Sequence, residues 1–456
     1  MNLDSFMNSS GISRATSLVR GSWSVWLGIS LLVLAFVYIW LVPFLRPRGE
    51  LLGGYYRIKD IYLGIPVGVA MIVAFVVLVT PRRLRKAVSL RLIPVSIALL
   101  AAIFVSDAVY ALGVMGAWWS DFWLDQAHIS RKHSVPDDEL GFVRKPGISW
   151  RGFVPDVNRM VEYRSDENGF RNPPGIRRAE IAFVGDSFTE AATVEEADTF
   201  VHRVGAATGR TVVNLGRGAY GPQQELIVLQ RYALAYHPQA IVWQLFEGND
   251  LKDAAIFAHW KKNPRAVSTS FTQRYLANSL IRELTLDSPE VKWFRPKAML
   301  RYNDGSLRPT EIRYEYDPAE PVKSPIAFEE TKQAIEAGYR LCESKGIKLL
   351  IVMIPTMLRV VEPYIIFDRP QDRDRYLPSP SMTENSGFSG ALADFCRELG
   401  CAYVDSYQEL RRLTDEGQRE LYIPADEHLD IRGHEVIAQL VLEWLRSDLV
   451  VSLKTD

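Results

Sequence analysis

The sequence predicts an α/β protein: a parallel sheet covered by helices on both faces, preceded by three transmembrane helices. Two observations carry this. The first 119 residues hold three apolar runs, at 26–45, 61–80 and 92–112, and a helix needs roughly 20 apolar residues to cross a bilayer core. From 179 to 456, short apolar strands alternate with helical stretches, and unbroken apolar strands of that kind belong to a sheet buried on both faces.

Composition narrows the class. Lys+Arg number 53 against 54 Asp+Glu. That balance lacks the basic excess of a nucleic-acid protein, so no nucleic acid is expected as partner. The 3 cysteines, Cys342, Cys396 and Cys401, show no Cys-x-x-Cys spacing, and the 7 histidines show no ligand spacing; no metal is expected. A Cys396–Cys401 disulfide stays open for a domain outside the cytoplasm.

The three apolar runs lack the polar stripe of a water-soluble helix. Trp26, Tyr38, Trp40, Tyr62, Trp118 and Trp119 lie near their ends, as an interfacial aromatic belt would. Arg82-Arg83-Leu84-Arg85-Lys86, the densest basic cluster of this half, falls between the second and third runs. The positive-inside rule puts it in the cytoplasm. The N-terminus is then also inside, in agreement with Arg14 and Arg20, and everything after Trp119 is outside. The first loop (Arg46, Arg48, Arg57, Lys59) is basic too and opposes this; the denser cluster decides. Asp107, near the outer end of the third run, reads as structural rather than as part of a transport path.

Residues 120–178 are polar and broken by Pro136, Pro146, Pro155, Pro173 and Pro174. They read as an extended stalk that packs along the edge of the next domain, with short β-like pieces such as Met160-Val161-Glu162-Tyr163-Arg164 and with solvated charges. In the outer domain, strands are expected at Ile181–Val184, Thr211–Leu215, Ala240–Phe246, Ile347–Ile354 and Ala402–Val404. Helices are expected at Glu196–Ala207, Gln223–Tyr236, Phe328–Ser344, Gly390–Leu399 and His434–Leu449. The stretch 251–325 breaks the alternation and reads as an insertion over the carboxyl edge of the sheet, where ligands bind. Its Trp260, Trp293 and Phe294 either line a site or pack the insertion.

The strand ends carry the chemistry. The first runs into Gly185-Asp186-Ser187-Phe188-Thr189, a turn that presents a serine. The second runs into Asn214-Leu215-Gly216-Arg217-Gly218-Ala219, the third into Gly248-Asn249-Asp250, and Asp426-Glu427-His428 lies near the C-terminus. A nucleophilic serine needs a base, a carboxylate to orient that base, and donors for an oxyanion. Ser187 is the candidate nucleophile, His428 the base and Asp426 the orienter, with Asp430 as rival. The Ser187 N–H, a backbone N–H of the glycine turn and the Asn249 amide are the candidate oxyanion hole. Within the turn, Gly218 is preferred and Ala219 stays open. Asp186 reads as a brace of its turn and His434 as structural.

These four blocks, in this order, resemble the SGNH/GDSL hydrolases, a family of esterases, lipases and carbohydrate acetyl-group enzymes. The resemblance covers residues from about 180 to about 445. It implies a three-layer α/β/α flavodoxin-like domain and serine ester hydrolysis without cofactor or metal. It also implies Ser187 as nucleophile, Asp426 and His428 as its partners, and Asn249 as oxyanion donor. Asp426 and His428 are two residues apart, whereas many members space this pair by three. The 120–178 segment, with Asn168-Gly169-Phe170-Arg171, resembles a subgroup of bacterial membrane-linked members associated with surface polysaccharides. That implies the bacterial inner membrane, an outer domain in the periplasm or beyond, an ester-bearing carbohydrate or lipid as substrate, and envelope-polysaccharide machinery as partner. Two other functions stay open: a non-catalytic, membrane-anchored polysaccharide binding or assembly component, and an O-acyltransferase with a membrane partner. The intact Ser, Asn, Asp and His favour an enzyme, and three spans with a single acid favour hydrolysis.

Overall fold

The computed structural model describes residues 29–42, 56, 58–114, 133–154, 157–262, 272, 275–276, 279–281, 284, 298–310, 312, 317, 319–368, 373, 387–424 and 426–452. Trp26, Trp118, Trp119, Trp293 and Phe294 lie outside the described residues. The chain divides into two compact units, 1–117 with 269–295, and 118–268 with 296–456.

In the first unit, two helices are long and apolar enough to cross a membrane: α1 (Ile58–Val79) and α2 (Arg85–Val114). The expected first span, 26–45, is described only in part. That part is an apolar helix, Ile29–Leu41; the rest of that run lies outside the described residues. Large apolar side chains on α1 and α2, such as Phe75 and Val109, stay exposed, which lipid tolerates and water does not. Gly64 lets Trp40 pack against α1: a Cβ there would lie 2.5 Å from Trp40 Cζ2. Asp107 is fully buried and accepts hydrogen bonds from Tyr62 Oη, Tyr275 Oη at 2.9 Å and the Ile281 N–H at 3.0 Å. That is the structural role expected of it.

The second unit opens with two antiparallel hairpins, β1 (Ser134–Asp137) with β2 (Gly141–Arg144), and β3 (Ser149–Val154) with β4 (Arg159–Arg164). Over the described part of 120–178, the β piece at 160–164 is present as β4 and the segment packs on the main domain, but the expectation of solvated charges is corrected. Arg144, Asp166 and Arg171 are buried, not solvated, because each finds partners on the main domain or in its own turn. Leu140, Phe142 and Phe170 join that domain's core. Asn172 acts as one more strand residue: its Oδ1 accepts the Asn214 N–H at 2.7 Å and its Nδ2 donates to Asn214 O at 2.8 Å.

The main sheet holds β5 (Ile181–Gly185), β6 (Val212–Gly216), β7 (Ala240–Phe246), β10 (Lys348–Ile354) and β12 (Ala402–Asp405), all parallel, in the order β12-β10-β7-β5-β6. This is the flavodoxin-like order. Successive strand residues feed opposite cores, as the two-residue pleat dictates. Ile181 and Phe183 join Phe200, Leu410 and Ile437 on one face, and Ala182 and Val184 join Val228, Ala254, Ile335 and Leu392 on the other. The first face is thus covered by α4 (Phe200–Thr208), α9 (Tyr407–Asp415) and α10 (Ile431–Ser452). The second is covered by α5 (Pro222–Arg231), α6 (Asp250–Lys262), α7 (Pro325–Ser344) and α8 (Gly387–Leu399). A one-turn helix, α3 (Ser187–Glu190), follows β5.

The insertion 251–325 is not one element. Its start is α6, whose Leu251, Ala254 and Trp260 lie in the second core, so Trp260 packs rather than lines a site. Residues 269–295 group with the first unit. Its later part forms β8 (Ala298–Arg301) and β9 (Leu307–Thr310), which pair with β11 (Ile365–Phe367). Cys342, Cys396 and Cys401 are buried free thiols.

Candidate active site

Ser187 sits on the first residue of α3, directly after β5. The turn is tight because Asp186 caps it: its Oδ1 accepts the Phe188 N–H at 2.8 Å, the usual device for a helix N-terminus. Asp186 therefore braces the turn, as expected. A Cβ at Gly185 would lie 2.4 Å from Thr189 Oγ1, so only glycine lets the strand turn this close to its helix.

His428 comes from the loop 421–430 before α10. Ile423 N–H donates to His428 O at 2.8 Å, and the Glu427 N–H to Ile423 O at 2.8 Å. Other elements hold the loop from outside: Tyr422 Oη donates to Pro355 O at 2.9 Å, and Thr310 Oγ1 of β9 to Pro424 O at 2.6 Å. Val154 and Val161 of the β3–β4 hairpin pack on Ile423. Glu427 is left-handed, with φ of 64°. That bend brings Asp426 back to His428 although only one residue separates them.

The structure brings the three residues into one chain of hydrogen bonds. Ser187 Oγ and His428 Nε2 are 2.8 Å apart, and His428 Nδ1 meets Asp426 Oδ1. The Phe188 ring lies 4.9 Å from that of His428 and supports its plane. Asp430, the rival orienter, is turned elsewhere: it pairs with Arg159 Nη1 at 2.8 Å and caps α10 through the Ile431 N–H. His434 is remote from this chain. Its Nδ1 accepts the Phe200 N–H at 3.3 Å, and burial pushes its pKa down to about 3. It is a neutral core imidazole, as expected.

The oxyanion donors need one correction. The Gly218 N–H is not available, because it donates to Glu190 Oε2 at 2.8 Å. The N–H groups of Ser187 and Ala219 have no hydrogen-bond partner among the described residues. The turn lies against the nucleophile: a Cβ built on Gly218 would be 3.4 Å from Ser187 Cβ. Ala219 has a φ of 65°. Asn249 follows β7, the strand beside β5, and donates one N–H to Asp253 Oδ2 at 2.8 Å, which fixes the plane of its amide. Burial first, and the Asp186 charge second, push Asp253 up to about 7. Burial likewise raises Asp186, Glu225 and Asp250.

Sequence reading missed Glu190. It is buried at the end of α3 and accepts from Arg144 Nη2, from Arg217 Nη1 at 3.2 Å, from Tyr163 Oη at 2.7 Å and from the Gly218 N–H. Burial alone would raise its carboxyl, but the two guanidiniums, Gly218 and Tyr163 together hold it well below the usual carboxylate range. The only local signal was an acid three residues after the serine. The groups of three or more His, Cys, Asp or Glu that a metal would need are absent among the described residues.

A scan against protein-family models finds no match, and a search of curated proteins finds none. Solved structures do match. An acetylxylan esterase from Geobacillus stearothermophilus is 10% identical over 58% of this chain and 93% of its own, with a TM-score of 0.31. A lipase/acylhydrolase from Enterococcus faecalis is 14% identical over 59% and 95%, with a TM-score of 0.30. A GDSL-like lipase from Bacteroides thetaiotaomicron is 12% identical over 60% and 89%, with a TM-score of 0.28.

Proposed function

We propose that this chain is a membrane-anchored serine esterase of the SGNH/GDSL type, acting on acyl or acetyl esters of an envelope or exported polysaccharide. One observation carries the esterase reading: the Ser187 Oγ, His428 Nε2 contact of 2.8 Å with Asp426 on the far nitrogen. In this reading His428 takes the Ser187 proton as Oγ attacks the ester carbonyl. The N–H groups of Ser187 and Ala219 and the Asn249 amide receive the developing oxyanion. Collapse forms the acyl-enzyme, and His428 returns the proton to the departing alcohol. Water, deprotonated by His428, then attacks the acyl carbon, and carboxylic acid leaves with Ser187 restored. Asp426 keeps the imidazole in one tautomer and offsets its charge.

The membrane part of the reading rests on the two apolar helices and their exposed apolar faces. The polysaccharide part, and a location in the bacterial inner membrane, rest on the sequence resemblance of the 120–178 segment.

The test uses the full chain in detergent. Acetate release from p-nitrophenyl acetate is measured beside Ser187→Ala and His428→Ala, together with labelling by a fluorophosphonate. Turnover and labelling should vanish in Ser187→Ala, and turnover should fall by at least about 10³ in His428→Ala. Equal slow turnover in all three proteins, with no label on Ser187, would sink the esterase.

A further inference from the structure

We infer that Glu190 is a positioning residue for the oxyanion turn, and that β2 and β4 supply the charge and hydroxyl that let it serve there. The inference rests on the esterase reading. Its ground is the way three separate stretches meet on one buried carboxylate. Glu190 lies on the same helical turn as Ser187. Its Oε2 holds the Gly218 N–H at 2.8 Å, and the backbone of α3 touches the turn directly: a Cβ at Gly216 would lie 2.3 Å from Glu190 N. The nucleophile and the turn therefore move as one body. With the Gly218 N–H drawn to Glu190, the next peptide, at left-handed Ala219, is left with the free donor.

A bare carboxylate beside an oxyanion would oppose catalysis, because like charges repel strongly where water is excluded. Arg217 comes from the turn itself. Arg144 of β2 and Tyr163 of β4 come from the segment that precedes the sheet. Two guanidiniums against one carboxylate leave the cluster with net positive charge, which favours an oxyanion. Arg171 adds a third cation close by, donating to Val194 O at 2.7 Å and to Ala191 O.

The experiment uses the full chain in detergent, with Glu190→Gln and Tyr163→Phe. The end-point fluorophosphonate titre counts intact sites, and kcat per titrated site and KM are then measured with p-nitrophenyl acetate. The expected result is a fall in kcat per site of at least about 10-fold in Glu190→Gln and a smaller fall in Tyr163→Phe. KM and the pH profile should not move, because His428 and Asp426 are untouched. A merely structural role would lower the titre and leave kcat per site at the wild-type value; that result overturns the inference. Should Glu190→Gln fail to fold, Tyr163→Phe, which keeps every charge, decides by the same criterion. If the wild type neither labels nor turns over, the esterase reading falls, and this inference with it.

Discussion

Ser187 and His428 stand 241 residues apart in the chain and 2.8 Å apart at Oγ and Nε2. At this scale Asn249 gives the sharpest prediction. Its amide is held by Asp253 at 2.8 Å, so it is oriented before substrate arrives and its truncation leaves the backbone in place. Asn249→Ala should lower kcat by roughly 10²–10³ while the protein still folds; equal kcat would remove Asn249 from the oxyanion site. The Ser187, His428 and Asp426 cluster was legible because each lies within three residues of a strand end or in a loop with its own signature. Glu190 and Arg144 were not. A buried charge is readable only through its partners, and these come from stretches 27 and 46 residues away. Gly218 was misread for the same reason: nothing in the turn's own sequence says that its N–H is already engaged.

The strands were the most legible elements. All five are mainly apolar runs, and the observed bounds differ from the expected ones by a residue at most. A strand buried on both faces has no polar side to blur the signal. The burial of charge in the segment before the sheet was least legible, since charges look the same on a solvated face as in a hairpin packed through its buried arginines. Asn172 tests that correction. It makes two hydrogen bonds to the backbone of Asn214 on the edge strand β6. Asn172→Ala leaves a buried N–H and C=O without those partners and should destabilise the second unit by about 1–3 kcal/mol. The measure is the urea midpoint; a value equal to wild type would mean that the segment does not brace the sheet.

For the whole molecule, orientation is the open quantity that charge predicts. Arg82 and Arg83 lie in the exposed turn between α1 and α2. Basic residues there belong on the cytoplasmic side. The native cysteines are buried, so single added thiols report cleanly. In intact spheroplasts, Arg83→Cys should resist a membrane-impermeant maleimide and Lys345→Cys should react; the reverse pattern would invert the topology. The grouping of 269–295 with 1–117 bears on shedding by proteases. The backbone passes from one unit to the other three times, after residues 117, 268 and 295, and within the first unit Tyr275 and Ile281 hold Asp107. A single cleavage after residue 117 would thus nick the protein without setting the second unit adrift. Release into the surrounding medium takes three cuts.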